Sequence, residues 1–148
     1  MSGKTSHLSS LLLGALKGTT VGGFPQTWVT LFTTAPTSDD TGGINAGVEW
    51  SPDTARIRVK SSGSTLSDQP YWTDISSTSD GAETENVGAV MWSEITGLTE
   101  PATVVAVGVY SAETVGQLLY WQNLDAPKKV SNNATMLFMS GALKVLEK

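Results

Sequence analysis

The sequence predicts a mainly β protein: an antiparallel β-sandwich or jelly-roll-like domain with one N-terminal helix. Three observations predict it. Two runs rich in Val, Leu, Tyr and Trp, residues 104–110 and 118–121, flank a short polar connector that holds Gly116. Such residues suit a pleated, half-buried surface, and glycine supplies the positive φ of a tight reversal, so the stretch reads as a hairpin at the centre of the sheet. Charged residues make up only 16% of the chain, and its 15 glycines sit among many Ser and Thr, a composition of strands and turns rather than of helical bundles. Helical periodicity occurs once, near the N-terminus.

That helix is predicted over residues 6–17. Leu8, Leu11, Leu12, Ala15 and Leu16 recur at three- and four-residue spacing and share one face. Ser6 can cap the first turn and Gly18 can close the last. A helix this short is marginal alone in water, so its leucine face must bury against the domain or a neighbour. The division that follows is a helical arm over 1–23 and a β domain over 24–148.

Residues 27–34 read as the first strand, apolar on both faces and stopped by Ala35-Pro36. A polar loop over 37–43 carries Asp39 and Asp40 but lacks the ligand pattern of a calcium loop. Residues 47–60 lead into a second strand, where Ile57 and Val59 alternate with Arg56, Arg58 and Lys60. This cationic stripe is either a solvated face or a contact with an acidic partner. Residues 61–69 read as loop, 71–75 as a short aromatic segment, and 76–85 as polar connection with a turn at Asp80-Gly81. A strand over 87–95 places Val90 and Trp92 on one side and Ala89 and Met91 on the other. Residues 125–133 read as a loop with Pro127, Lys128 and Lys129. Two short strands marked by Met136, Phe138, Leu143 and Val145 hinge near Gly141.

Several function classes fall away. The chain of 148 residues carries a net charge of −5, which argues against nucleic acid and anionic membrane as partners. It has no cysteine, so disulfides, thiolate metal sites and a Cys nucleophile are excluded. No export signal or membrane span is visible, which leads to synthesis in a cytoplasm without export and sets aside the sequon at Asn133-Ala134-Thr135. The one histidine, His7, lies on the helix, a poor place for a buried base. Gly3-Lys4-Thr5 lacks the strand and upstream glycine of a phosphate loop. No cofactor, metal site or catalytic residue is expected. A carboxylate-only hydrolase needs just a pair of Asp or Glu, yet no pair stands out.

A set of short motifs carries a resemblance. They are Gly108-Val109-Tyr110-Ser111-Ala112, Gly116-Gln117-Leu118-Leu119-Tyr120, Pro127-Lys128 and Gly141-Ala142-Leu143. The N-terminal half adds the Leu-rich helix, Trp28-Val29-Thr30-Leu31-Phe32-Thr33-Thr34-Ala35-Pro36, Gly42-Gly43 and Ala55-Arg56. In these features the chain resembles small tailed-phage virion proteins of the tail-fibre and head-fibre type. It differs from them at Thr54, where they carry Tyr, and at Glu100-Pro101, where they carry Trp-Gly. The resemblance implies a non-enzymatic structural component of a phage virion: a capsid decoration (cement) or short head-fibre protein that stabilises the particle. It also implies a homo-oligomer, with a trimer favoured, and contact with other virion proteins such as the major capsid protein. The expected contact residues are Leu8, Leu12 and Leu16 on the helix and Arg56, Arg58 and Lys60 on the strand. The alternative is a carbohydrate-binding adhesin module of a tail fibre or baseplate, in which some of the five Trp and three Tyr stack on a host surface glycan.

Overall fold

The structure is a computed structural model that describes residues 2–4, 6–18, 24, 26–37, 48–50 and 56–147. The elements are β1 (Ser2–Lys4), α1 (Ser6–Leu16), β2 (Gln26–Thr34), β3 (Val48–Glu49), β4 (Ile57–Lys60), β5 (Tyr71–Trp72), β6 (Ser76–Thr78), β7 (Gly81–Val87), β8 (Val90–Trp92), β9 (Ala102–Tyr110), β10 (Leu118–Val130), β11 (Met136–Phe138) and β12 (Lys144–Glu147). A 3-10 turn at Leu66–Asp68 precedes β5. The predicted class is observed: mainly β, with one helix at the N-terminus.

Ten strands form one curled sheet in the order β1-β10-β9-β2-β4-β5-β7-β12, with β3 also on β2 and β6 also on β7. Every pairing is antiparallel except β4 with β5, where Lys60 lies opposite Tyr71, so the sheet is mixed. β8 and β11 make a separate two-stranded ribbon, with Leu137 opposite Met91. The predicted hairpin is β9 with β10, and Gly116 turns it at φ 70°. It lies toward one end of the sheet rather than at its centre, because β2 fills the central place between β9 and β4.

Register and strand alternation sort the core into two faces. Val29 opposite Val109 and Leu31 opposite Val107 share one face. That face belongs to the larger cluster with Trp50, Val59, Trp72, Val90 and Trp92, and β11 closes over it through Phe138, whose ring meets Trp92 edge-on at 6.1 Å. Trp28 opposite Tyr110 and Phe32 opposite Ala106 share the other face, where Trp121 and Leu118 complete a smaller cluster. β2 is thus buried on both sides, as its two-faced apolar pattern predicts. α1 lies against β10.

Four local readings are corrected. Residues 76–85 are not mere connection: Ser76–Thr78 and the first part of β7 pair as a hairpin around Asp80-Gly81. The strand placed at 87–95 is split, because Gly88 at φ 84° ends β7 before β8 begins. Residues 125–130 are the far half of β10, which rejoins β9 at Lys128 after a break in register that contains Pro127. Gly3 and Lys4 belong to a short strand on the outer edge of β10. The Asp39-Asp40 loop lies outside the described residues. The hinge at Gly141, by contrast, is as read, at φ 77°.

Candidate interaction surface

α1 does not bury its leucines as one set. Leu8 and Leu11 are half-buried, whereas Leu12, Leu13 and Leu16 are 44%, 61% and 84% exposed. On a helix, positions 12, 13 and 16 adjoin, so they form a stripe beside the buried one. The predicted leucine face therefore divides: Leu8 works inward and Leu12 and Leu16 stand open among the described residues. A contiguous exposed apolar stripe is the surface signature of a contact site, in a way that scattered single leucines are not.

The cationic stripe also divides. Arg58 is exposed on β4, opposite Trp28. Lys60 reaches Asp68 at 3.2 Å. The Asp68 carboxylate accepts backbone N–H bonds from Ser64 and Thr65 and a bond from the Thr65 hydroxyl, and this holds its pKa at about 2. Arg56 is engaged within the chain. Its Nε and Nη2 donate to the two oxygens of Glu49, both at 2.8 Å, in a bidentate pair. Its Nη1 donates to the carbonyls of Ala112 (2.8 Å) and Val115 (2.7 Å), and its Cζ sits 3.6 Å from the centre of the Tyr110 ring. The arginine thus fastens the β9–β10 turn to β3 and covers an aromatic face. Burial alone would raise the Glu49 pKa. The bonds from Arg56 and Thr30, together with the guanidinium charge, outweigh it and lower the value. Burial pushes the Tyr110 hydroxyl up, with the Glu49 charge adding to it.

The motifs behind the resemblance converge on this place. Tyr110 stacks on Phe32 at 6.5 Å beneath Arg56. Ser111 Oγ accepts the Gln117 N–H at 2.9 Å, closing the turn. A Cβ at Gly108 would lie 2.5 Å from the Phe32 ring, so only glycine lets β2 and β9 approach with that ring between them. A second lock sits at the opposite end. Asn86 is fully buried, donates to the carbonyls of Gly88 (2.7 Å) and Met139 (3.0 Å), and accepts the Leu143 N–H at 2.9 Å. It ties Gly141-Ala142-Leu143 to the end of β7. Neither Glu49 nor Asn86 stands out in the sequence. Nothing in their local sequence marks them, because their partners Arg56 and Leu143 lie 7 and 57 residues away along the chain.

Among the described residues, no group of three or more His, Cys, Asp or Glu is placed to hold a metal ion, and no helix is long and apolar enough to cross a membrane. The motif residues brought together here serve the fold, while the open leucine stripe of α1 faces outward. A curled β body carrying such a helix presents a surface suited to protein contact. Comparison with family models makes the class specific. Residues 3–146 match the family described as Podophage GP4 fiber I protein gp80, and the chain belongs to that family. It is a fibre-type structural component of a phage virion. No curated protein matches the sequence.

Proposed function

We propose that this chain acts without catalysis, as a homo-oligomeric decoration or short head-fibre protein that stabilises the phage particle through the leucine stripe of α1. The observation that carries the reading is the stripe itself: Leu12, Leu13 and Leu16 lie exposed on a helix whose other leucines are half-buried. Family membership supports a virion role; a trimer is the assembly we favour. A decoration protein binds only the assembled shell, so its binding free energy adds to shell stability. Arg58, exposed on β4, remains available for an acidic capsid patch, whereas Arg56 acts through the fold.

The test removes the protein, or residues 1–23, and heats the particles, with a labelled copy located by electron microscopy. Decorated heads should survive to a higher temperature or a lower ionic strength than bare ones. Equal melting of bare and decorated heads, with loss of host attachment in the bare ones, would assign the chain instead to glycan adhesion.

A further inference from the structure

The curled sheet ends in two strand edges that no strand covers among the described residues. Among the described residues, β12 pairs with β7 alone, and β10 beyond Gln122 pairs with no strand on its outer side, the pairing with β1 reaching Gln122 at Ser2. Residues of both edges, with the segment 134–138 at β11, line one groove of about 620 Å³. That volume lies within the range of ligand sites. Apolar side chains dominate its lining, including Val107, Val109, Leu124, Phe138 and Val145. Asn123 lines it too and holds a buried Oδ1 with no hydrogen-bond partner.

The two edges are not equivalent. On β10 the register breaks between Asn123 and Lys128, and Pro127 within the break has no N–H to give. A bulge, a proline and adjacent lysines are the devices that keep a strand edge from pairing. β12 has none of the first two. Its four residues run in unbroken register with residues 82–85 of β7, and no described strand pairs with its other side.

Charge selects the occupant. The chain is acidic at −5 overall, yet Lys128, Lys129 and Lys144 line the groove against a single carboxylate, Asp125. Lys144 is held by Glu85 at 3.1 Å. Lys128 and Lys129 are exposed and make no ion pair among the described residues.

We infer that the open edge of β12 takes up an extended, acidic segment of a partner protein as an added strand, with Lys128 and Lys129 pairing its carboxylates across the groove. Strand addition satisfies the edge's main-chain groups, alternate apolar side chains fall on the apolar lining, and the lysines fix which segment is accepted. A saccharide would leave the β12 edge unpaired. The inference is independent of the α1 contact, since no residue of α1 lines the groove.

The experiment uses the full chain and a soluble nonapeptide in which Val alternates with Thr and Glu. Controls are the same peptide with Lys for Glu, one with Pro at alternate positions, and an oligogalacturonate as an acidic sugar. Hydrogen exchange at the amides of Lys144–Glu147 should slow at least tenfold with the Glu peptide and stay unchanged with the Pro peptide. Lys128→Glu with Lys129→Glu should weaken the Glu peptide at least tenfold and strengthen the Lys peptide, a reversal that a misfolded variant cannot give. Absence of protection at β12, binding indifferent to the charge reversal, or occupation of the groove by oligogalacturonate alone would overturn the inference.

Discussion

At the hairpin end, a charged side chain is 9% exposed and each of its three nitrogens donates to an internal acceptor; on α1, three leucines stand 44% to 84% exposed among the described residues. One region hides charge and the other displays hydrocarbon, each against the usual arrangement. The cost of burying Arg56 is offset within the chain by Glu49, two carbonyls and a ring, so that site needs no partner. The cost of exposing Leu12, Leu13 and Leu16 is offset by nothing described in the chain. The comparison separates residues that build the protein from residues that await something else.

Breaking the first region should have the largest effect. Arg56→Ala leaves the Glu49 carboxylate and two turn carbonyls without their donor. A fully buried broken pair costs about 3–5 kcal/mol, and because Glu49 is 31% exposed the expected loss is about 2–4 kcal/mol by denaturant titration. Arg56→Lys should recover little, since an ammonium cannot span both Glu49 oxygens and the carbonyls. A loss below about 0.5 kcal/mol, the range of ordinary surface changes, would remove Arg56 from the fold and return it to the list of contact residues.

Gly108→Ala should cost somewhat less, about 1–3 kcal/mol, because the new Cβ must push aside the Phe32 ring at 2.5 Å and the Leu118 side chain at 2.9 Å. Pairing it with Phe32→Leu should recover part of that loss. Additive effects of the two changes would mean that the close approach is not what fixes glycine there.

Acid should sharpen the contrast further. The folded-state pKa of Asp68 is depressed to about 2 from 3.8, and that of Glu49 is lowered as well. A depressed carboxylate contributes stability above its unfolded pKa and loses it as pH falls through its folded one. Stability should therefore decline as pH drops from 3.8 toward about 2. Asp68→Asn should flatten part of that decline, and Arg56→Ala another part. A pH profile identical in Asp68→Asn would show that the Ser64 and Thr65 bonds do not hold the carboxylate in solution.

Much of the fold was legible where pattern and environment agree. The β9–β10 hairpin, two-faced β2, the single helix and the Gly141 hinge follow from apolar runs and glycine placement. Strands escaped where tertiary position overrode local sequence. β6 and β7 carry Ser, Thr and Glu because they lie toward the sheet's end, where every side chain but Asn86 is half-buried or exposed. The far half of β10 reads as loop because its outer edge is guarded by Pro127 and two lysines. The alternation around Ile57 and Val59 was read correctly, but Arg56 precedes β4, where the turn carbonyls and Tyr110 capture it. Sequence spacing also could not say that Leu8 and Leu11 are half-buried while Leu12 and Leu16 stay exposed.

The central claim is that the leucine stripe of α1 is a contact surface and not part of the monomer's stability. Leu12→Asp with Leu16→Asp tests it most directly, read by sedimentation velocity and by unfolding of the dissociated chain. Single exposed positions change stability by about 0.5 kcal/mol or less, so the variant should fold normally. It should sediment as a monomer under conditions where the native chain sediments as an oligomer, and it should fail to bind stripped heads. A variant that keeps the native mass and still decorates the particles would contradict the account.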